Sequence, residues 1–322
     1  MSVERSEVHR LLLNLAGRVP DAELAGLRTC LADDELDEIA DVLIAGGFAL
    51  SEWEHEMLAE LAAEHGVDPG PLANTPRPEN PVTWRFVRNT TVDSPAGDAA
   101  AVRAADGVGG LRALWRAIRL PKDIDAPARA AGDVVYLGEA AADADVVELT
   151  AEIQHRLAEA GQTPRVEVFA EGAELTGYHE AALAVAELAW TDEPPRAHLA
   201  RVFDGTDPAG APFFRPDHQR LEQAERDRLL AYLRAGPVVL ATDGRMDDVL
   251  DPDRGDVVAL DFRSDGTWIW NDAVCYYLDR HRLAPDPELI AHVAAAGPPP
   301  SGLSRLDLHC VRDALSSPAN EE

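Results

Sequence analysis

The stretch "DVVALDFRSDGTWIWNDAVCYYLDRH", Asp256 to His281, carries two strand patterns, a turn and a helix in quick succession. β-Branched and aromatic residues fill "DVVALDFR" and "TWIW", and Asp265-Gly266 between them suits a two-residue hairpin loop, whose central positions both take positive φ. With those two residues as the loop, Ser264 faces Thr267, Arg263 faces Trp268, Phe262 faces Ile269 and Asp261 faces Trp270. One face then carries Leu260, Phe262 and Ile269, and the other carries Trp268, Trp270, Arg263 and Asp261. Asn271 caps a helix with Val274, Tyr277 and Leu278 on its inward side, and Asp286-Pro287 opens another with Leu289, Ile290 and Val293. An antiparallel hairpin that feeds helices does not belong to a uniformly parallel sheet, so this stretch sets the class as mixed α+β.

Upstream, helix and strand patterns interleave. Leu111, Leu114, Trp115 and Ile118 have helical spacing, "DVVYLG" from Asp133 reads as a buried strand, and Val146, Leu149, Ile153 and Leu157 form a helix stripe ended by Gly161. "RVEVFA" from Arg165 is a further strand. A helix over about 178–190, a strand at "AHLARVF", a helix over about 217–235 and a strand at "PVVLAT" complete the alternation.

The first seventy residues are helical throughout. Val8, Leu11, Leu12 and Leu15 recur on one side, followed by Leu24, Leu27 and Leu31, and then by Leu36, Ile39, Leu43 and Ile44. Pro20 with Asp21 opens the second helix, Gly46-Gly47 ends the third, and Ser51 with Glu54 has capping-box spacing for the fourth. Turn residues and prolines then gather in "GVDPGPLANTPRPENP" before the strand-like "VTWRFVRNTTV". These boundaries predict an acidic helical bundle over 1–70, a Pro-rich linker over 71–82, a mixed α/β domain over 83–296 and a peripheral tail over 297–322.

Charge narrows the partners. The 322 residues hold 58 acidic against 29 basic side chains, a formal net charge of −29, so the field of the protein repels phosphate backbones and anionic lipid. Neither nucleic acid nor a membrane surface is expected, while a basic protein would be attracted. Cys30, Cys275 and Cys310 are odd in number and far apart, which indicates no disulfide framework, and the first twenty residues lack a long apolar run. A cytoplasmic location is the expectation.

The segment from Met246 to Val293, with its "SDGTWIW" hairpin and "YYLDRHRLAPDPELIAHV" helix pair, resembles a carboxy-terminal module of an uncharacterised family of high-GC bacterial proteins. There the pattern runs TDGxWxW and YYLxxHxxxPxxELxxHI, from which Ser264 and Val293 depart. "LLLNLAGRVPDAEL" and "ARVFDGTDPAG" are similar to other parts of such proteins. The resemblance implies an association with polymorphic toxin and immunity loci, and it brings no catalytic residue with it.

No reaction signature emerges from the residues themselves. Asp243, Asp247, Asp248, Asp251, Asp253 and Asp256 make an oxygen-rich run, but Gly255 sits one place too early for an EF-hand loop and no glutamate follows at the twelfth position. No H-E-x-x-H or H-x-H spacing appears, so no metal and no cofactor is indicated. Cys275 and His281 point to different sides of their helix. Gly107, Gly109 and Gly110 precede Leu111 without dinucleotide or Walker spacing. Arg112 and Arg116 at helical spacing are candidates for an anionic ligand, and salt bridges to the acidic helices are the plainer use of the same arginines. The function expected is a non-enzymatic, immunity-type protein-binding factor that uses its acidic helices and the Trp268, Trp270, Arg263 and Asp261 face. The alternative is a small-ligand-binding protein or hydrolase-like enzyme with its site in the α/β domain.

Overall fold

The computed structural model describes residues 3–76, 84–87, 95–121, 132–192 and 197–316; residues 77–82 of the expected linker lie outside them. The fold is α+β, and the chain forms two compact units, Met1–Glu193 and Pro194–Glu322.

In the first unit, α1 (Arg5–Asn14), α2 (Asp21–Ala32), α3 (Leu36–Gly46) and α4 (Glu52–His65) follow the four leucine stripes. Val8, Leu11, Leu12, Leu24, Leu31, Ile39 and Leu43 are all buried, each worth roughly 1.5–3 kcal/mol relative to exposure. The predicted capping box forms: the Ser51 amide donates to Glu54 Oε2 at 2.7 Å and the Glu54 amide to Ser51 Oγ at 3.4 Å. A 3₁₀ turn (Gly70–Asn74) precedes β1 (Trp84–Val87), α5 (Pro95–Ala105), β2 (Leu111–Pro121), β3 (Asp133–Ala140), α6 (Val146–Glu159), β4 (Val166–Ala170), α7 (Gly177–Leu183) and β5 (Glu187–Thr191).

Two expected helices are corrected. The segment around Leu111 to Ile118 is strand β2, because from Leu111 to Leu120 every residue but Arg112 is buried, and a strand covered on both faces shows no period-two alternation to distinguish it from a helix. The helix expected over 178–190 is the shorter α7 followed by β5. Strands β3 and β4 are parallel, joined by α6, while β2 runs antiparallel to β3. The other edge of β2 is shared by β1, opposite Ile118 to Pro121, and β5, opposite Ala113 to Arg116. One sheet face, with Leu114, Tyr136, Ala140, Val166 and Val168, packs on Leu149, Ile153 and Leu157 of α6 and on alanines of α5.

The outer edge of β4 explains why the helical layer is not a separate domain. A bare edge leaves carbonyls without donors. Here His9 of α1 donates through Nε2 to the Val168 carbonyl at 2.9 Å, and Arg28 of α2 donates to the Val166 carbonyl at 2.8 Å. Asp21 of α2 also takes Arg119 and Arg165, each at 2.6 Å. Helices and sheet therefore share one unit, and the division between units falls at Glu193 and Pro194 rather than at 71–82.

In the second unit the elements are β6 (His198–Leu199), β7 (Gly205–Thr206), β8 (Pro212–Phe213), α8 (Gln223–Ala235), β9 (Val238–Leu240), β10 (Arg245–Asp247), β11 (Asp256–Ala259), β12 (Phe262–Ser264), β13 (Trp268–Asn271), α9 (Asp272–His281), α10 (Pro287–Ala295) and α11 (Arg305–Ser316). The main sheet has the order β6-β13-β12-β9, with β10-β11 and β7-β8 as separate ladders. Only His198 and Leu199 of the expected "AHLARVF" strand are extended against a neighbour, and α8 starts six residues later than the sequence pattern implies. The tail is not a peripheral arm. Leu306, Cys310 and Val311 of α11 are buried, and a methyl group on Gly266 of the hairpin would meet the Asp307 carboxylate at about 3.1 Å.

The hairpin register is also corrected by two residues: Arg263 pairs with Trp270, Ser264 with Ile269 and Phe262 with Asn271. Asp265 is the cause. Its Oδ1 accepts the amides of Thr267 and Trp268 at 3.0 and 2.8 Å, which widens the loop to Asp265–Trp268. A slip of two preserves side-chain parity, so Trp268, Trp270 and Arg263 still share a face.

Candidate functional site

That aromatic face is core. Trp268 is 7% and Trp270 0% exposed, and both lie in a cluster with Leu229, Leu233, Val274, Leu278 and Leu289. Trp270 Nε1 donates to the Leu233 carbonyl at 3.1 Å, and its ring crosses Gly236, where any Cβ would lie 2.5 Å from the indole. Arg263 donates to the Arg234 and Gly236 carbonyls, closing the C-terminal end of α8, and to Asp272 at 2.7 Å. Asp261 accepts the Thr242 amide at 2.7 Å. All four residues are thus occupied within the second unit, and the expected partner-binding face is corrected to an internal one.

Arg112 and Arg116 stand on a strand, so their spacing separates them by about 13 Å instead of stacking them on one helical turn. Arg112 meets Glu171 at 3.1 Å and the 7% exposed Arg116 lies 4.0 Å from Glu187, so the two do not converge on an anion. Arg119 takes the role of bridging to the helices: it pairs with Asp21 and Asp133 and stacks on Trp84, 4.3 Å from the ring centre. The turn at Gly107 to Gly110 leads into a strand, and in the cavity beside it Asp143, Asp145, Glu148 and Glu152 outnumber Arg156, itself paired with Glu152, so the lining opposes phosphate.

In the aspartate run, Asp248 is fully buried. It accepts His281 Nε2 at 2.7 Å, Tyr276 Oη at 3.0 Å and the Leu250 amide at 3.0 Å. Burial works against its charge, but these donors outweigh it and hold the carboxyl below its usual range. The same pairing recurs twice, His218 with Asp204 at 2.8 Å and His292 with Asp265 at 2.7 Å, so the two motif histidines, His281 and His292, tie α9 and α10 to loops. Cys275 is buried, which pushes its thiol up to about 12 and leaves it protonated near neutral pH. Among the described residues no three His, Cys, Asp or Glu side chains are placed to hold a metal ion.

An open groove of about 670 Å³ lies on the first unit between α2 and α6. Ala25, Gly26, Thr29, Ala32 and Asp33 supply one wall, and Glu148, Ala151, Glu152, His155 and Ala158 the other. The two helices run antiparallel here: Gln154 of α6 donates to the Ala25 carbonyl at 3.1 Å, while Arg5 links the Leu31 and Ala32 carbonyls to Glu148. One end is therefore acidic, with Asp33, Glu148 and Glu152, and the other is lined by Ala25, Gly26, Ala158 and Pro164. Sequence reading missed this groove, although the small residues recur at helical spacing on the side of α2 opposite its leucines. The small-residue stripe was the available signal, and the leucine stripe drew attention away from it.

Compared with known proteins, the chain matches no family model, and neither curated proteins nor solved structures give a match.

Proposed function

We propose that the chain is a non-catalytic binding factor of immunity type whose acidic helical layer receives a basic protein. The observation that carries this reading is the open groove on the first unit, acidic at one end and set in a layer where residues 1–70 hold sixteen acidic side chains against four arginines. A cationic partner gains from such a field in both encounter rate and orientation. The tryptophan face contributes to folding, not to recognition, and the enzyme alternative draws no support from Arg112 and Arg116 or from the thiol of Cys275.

Cross-linking the full chain in its source cell, identifying the partner and reconstituting the pair tests the proposal. A single basic protein bound with one-to-one stoichiometry, weakening at least tenfold between about 0.05 and 0.5 M salt, is the expected result. Turnover of a substrate by the isolated chain, or a partner whose affinity ignores salt, overturns it.

A further inference from the structure

We propose that β9 is a docking edge for an extended segment of a partner protein, a strand with apolar side chains at alternate positions and arginine or lysine at its amino end. The site belongs to the second unit and is independent of the helical layer invoked above.

β9 ends the sheet β6-β13-β12-β9, so one side of its backbone faces β12 and the other faces no strand. Such an edge accepts a further strand through its outward amides and carbonyls, and natural edges are commonly guarded by charged side chains. From Pro237 to Thr242 none is charged. Val238 and Leu240 are 46% and 44% exposed, while Val239 between them is half-buried. The pair shares a face by period-two spacing, and half-buried Phe262, opposite Leu240, extends it. Of the large apolar side chains exposed among the described residues, these are the two that share a strand. Pro237 and the register shift at Phe262 and Arg263 keep β9 short, yet they leave both side chains uncovered.

Charge names the occupant. Past Leu240 the same arm of chain runs through exposed Asp243 into β10, where exposed Asp247 stands opposite exposed Asp256 of β11. Like charges opposed across a ladder destabilise it. Arg245 and Arg254 are the cations of this run; Arg254 lies at the Tyr276 hydroxyl, and neither forms an ion pair with these aspartates among the described residues. A cation on an incoming strand relieves the Asp247–Asp256 repulsion, whereas a second copy, with the same aspartates and a net charge of −29, adds to it. Antiparallel pairing is the more stable arrangement, and it sets the amino end of the incoming strand beside the residues that follow Leu240.

The test uses the full chain and a synthetic peptide of about eight residues, two arginines followed by alternating threonine and valine. One control peptide carries N-methyl groups on alternate residues, which removes the donors along one edge, and another has glutamates in place of the arginines. Amide chemical shifts report where each binds. The peptide is expected to shift the Val238, Val239 and Leu240 amides and to bind about tenfold more tightly than either control. The double variant Val238→Thr with Leu240→Thr should weaken it about tenfold at an unchanged melting temperature, since both side chains stand in water. Asp247→Asn should weaken it about threefold while raising the melting temperature. Equal binding of the N-methylated peptide, shifts confined to other surfaces, or unchanged binding to the double variant overturns the proposal, and the peptide controls need no variant to fold. So does a dimer of the wild-type chain that the double variant dissociates, which makes the occupant a second copy. A cellular partner that shifts only amides of the helical layer leaves the binding-factor reading standing while the β9 reading falls.

Discussion

The two units close their layers with different charge chemistry. In the first, the Arg28–Glu167 pair is sealed, with side chains 3% and 6% exposed, whereas in the second His218, His281 and His292 keep 15%, 17% and 26% of their side chains in reach of water. A guanidinium stays charged at every physiological pH, so the first unit is locked by pairs that do not titrate on the cation side. The second is tied by imidazoles that themselves reach solvent, on carboxylates of which Asp248 and Asp265 are sealed. Removing the carboxylate of a pair therefore has unequal consequences: it strands a buried charge in the first unit, and in the second it leaves an imidazole that water can hydrate.

That contrast predicts the largest effects. Glu167→Ala leaves the Arg28 charge buried and unpaired and should cost about 3–5 kcal/mol, while Asp248→Ala, which frees partly exposed His281, should cost about 1–3 kcal/mol. Urea unfolding of the full chain measures both. Equal losses would erase the distinction between the units. The double variant Arg28→Met with Glu167→Leu should recover most of the loss, since a well-packed apolar pair replaces the ion pair without desolvating charge.

Within the second unit the aromatic core contributes more than any of the histidine ties. Trp270→Ala should cost about 3–5 kcal/mol, and Trp268→Ala only somewhat less. Near-wild-type stability of Trp268→Ala in the same urea titration would make that side chain a candidate for partner contact again.

Acid separates the units further. Burial pushes His9 down to about 4, opposed by its bond to the Val168 carbonyl, so the folded first unit holds a neutral imidazole with Nδ1 unprotonated. The folded value lies below the unfolded one near 6.5, so the contribution of His9 is complete above about pH 6.5 and is lost as pH falls towards 4, amounting to about 3 kcal/mol. Asp204, Asp248 and Asp265 in the second unit are also depressed, their donors outweighing burial, but against an unfolded value near 3.9 their loss begins only below about pH 4. Thermal melts between pH 7 and 4.5 should therefore show the first unit weakening first, and His9→Gln should flatten that slope. A pH-independent first transition in the wild-type chain would contradict the neutral His9.

The smallest effects concern the surface. Gly26→Ala should raise stability by about 1 kcal/mol, since α2 has room for the methyl group. Arg112→Ala removes a partly exposed pair with Glu171 and should change stability by no more than about 0.5 kcal/mol, visible as a small shift in melting temperature.

What could be read from residue order alone was local. The four amino-terminal helices, the Ser51–Glu54 capping box, the Asn271 cap and the α+β class follow from periodicity and end chemistry, which act within a few residues. Side-chain parity in the hairpin was equally legible, and it survived the wrong register because a two-residue slip does not change faces. The register itself depended on Asp265, whose carboxylate also holds Tyr232 and His292 from α8 and α10, far along the chain. Strand β2 hid behind helical spacing because its burial comes from layers on both sides. Three features required the folded chain: Trp268 and Trp270 are covered by α8, α9 and α10, the unit boundary lies at Glu193 and Pro194, and α2 and α6 form a groove. Composition shows that a side chain prefers burial, but which distant segment covers it depends on contacts that sequence order does not display.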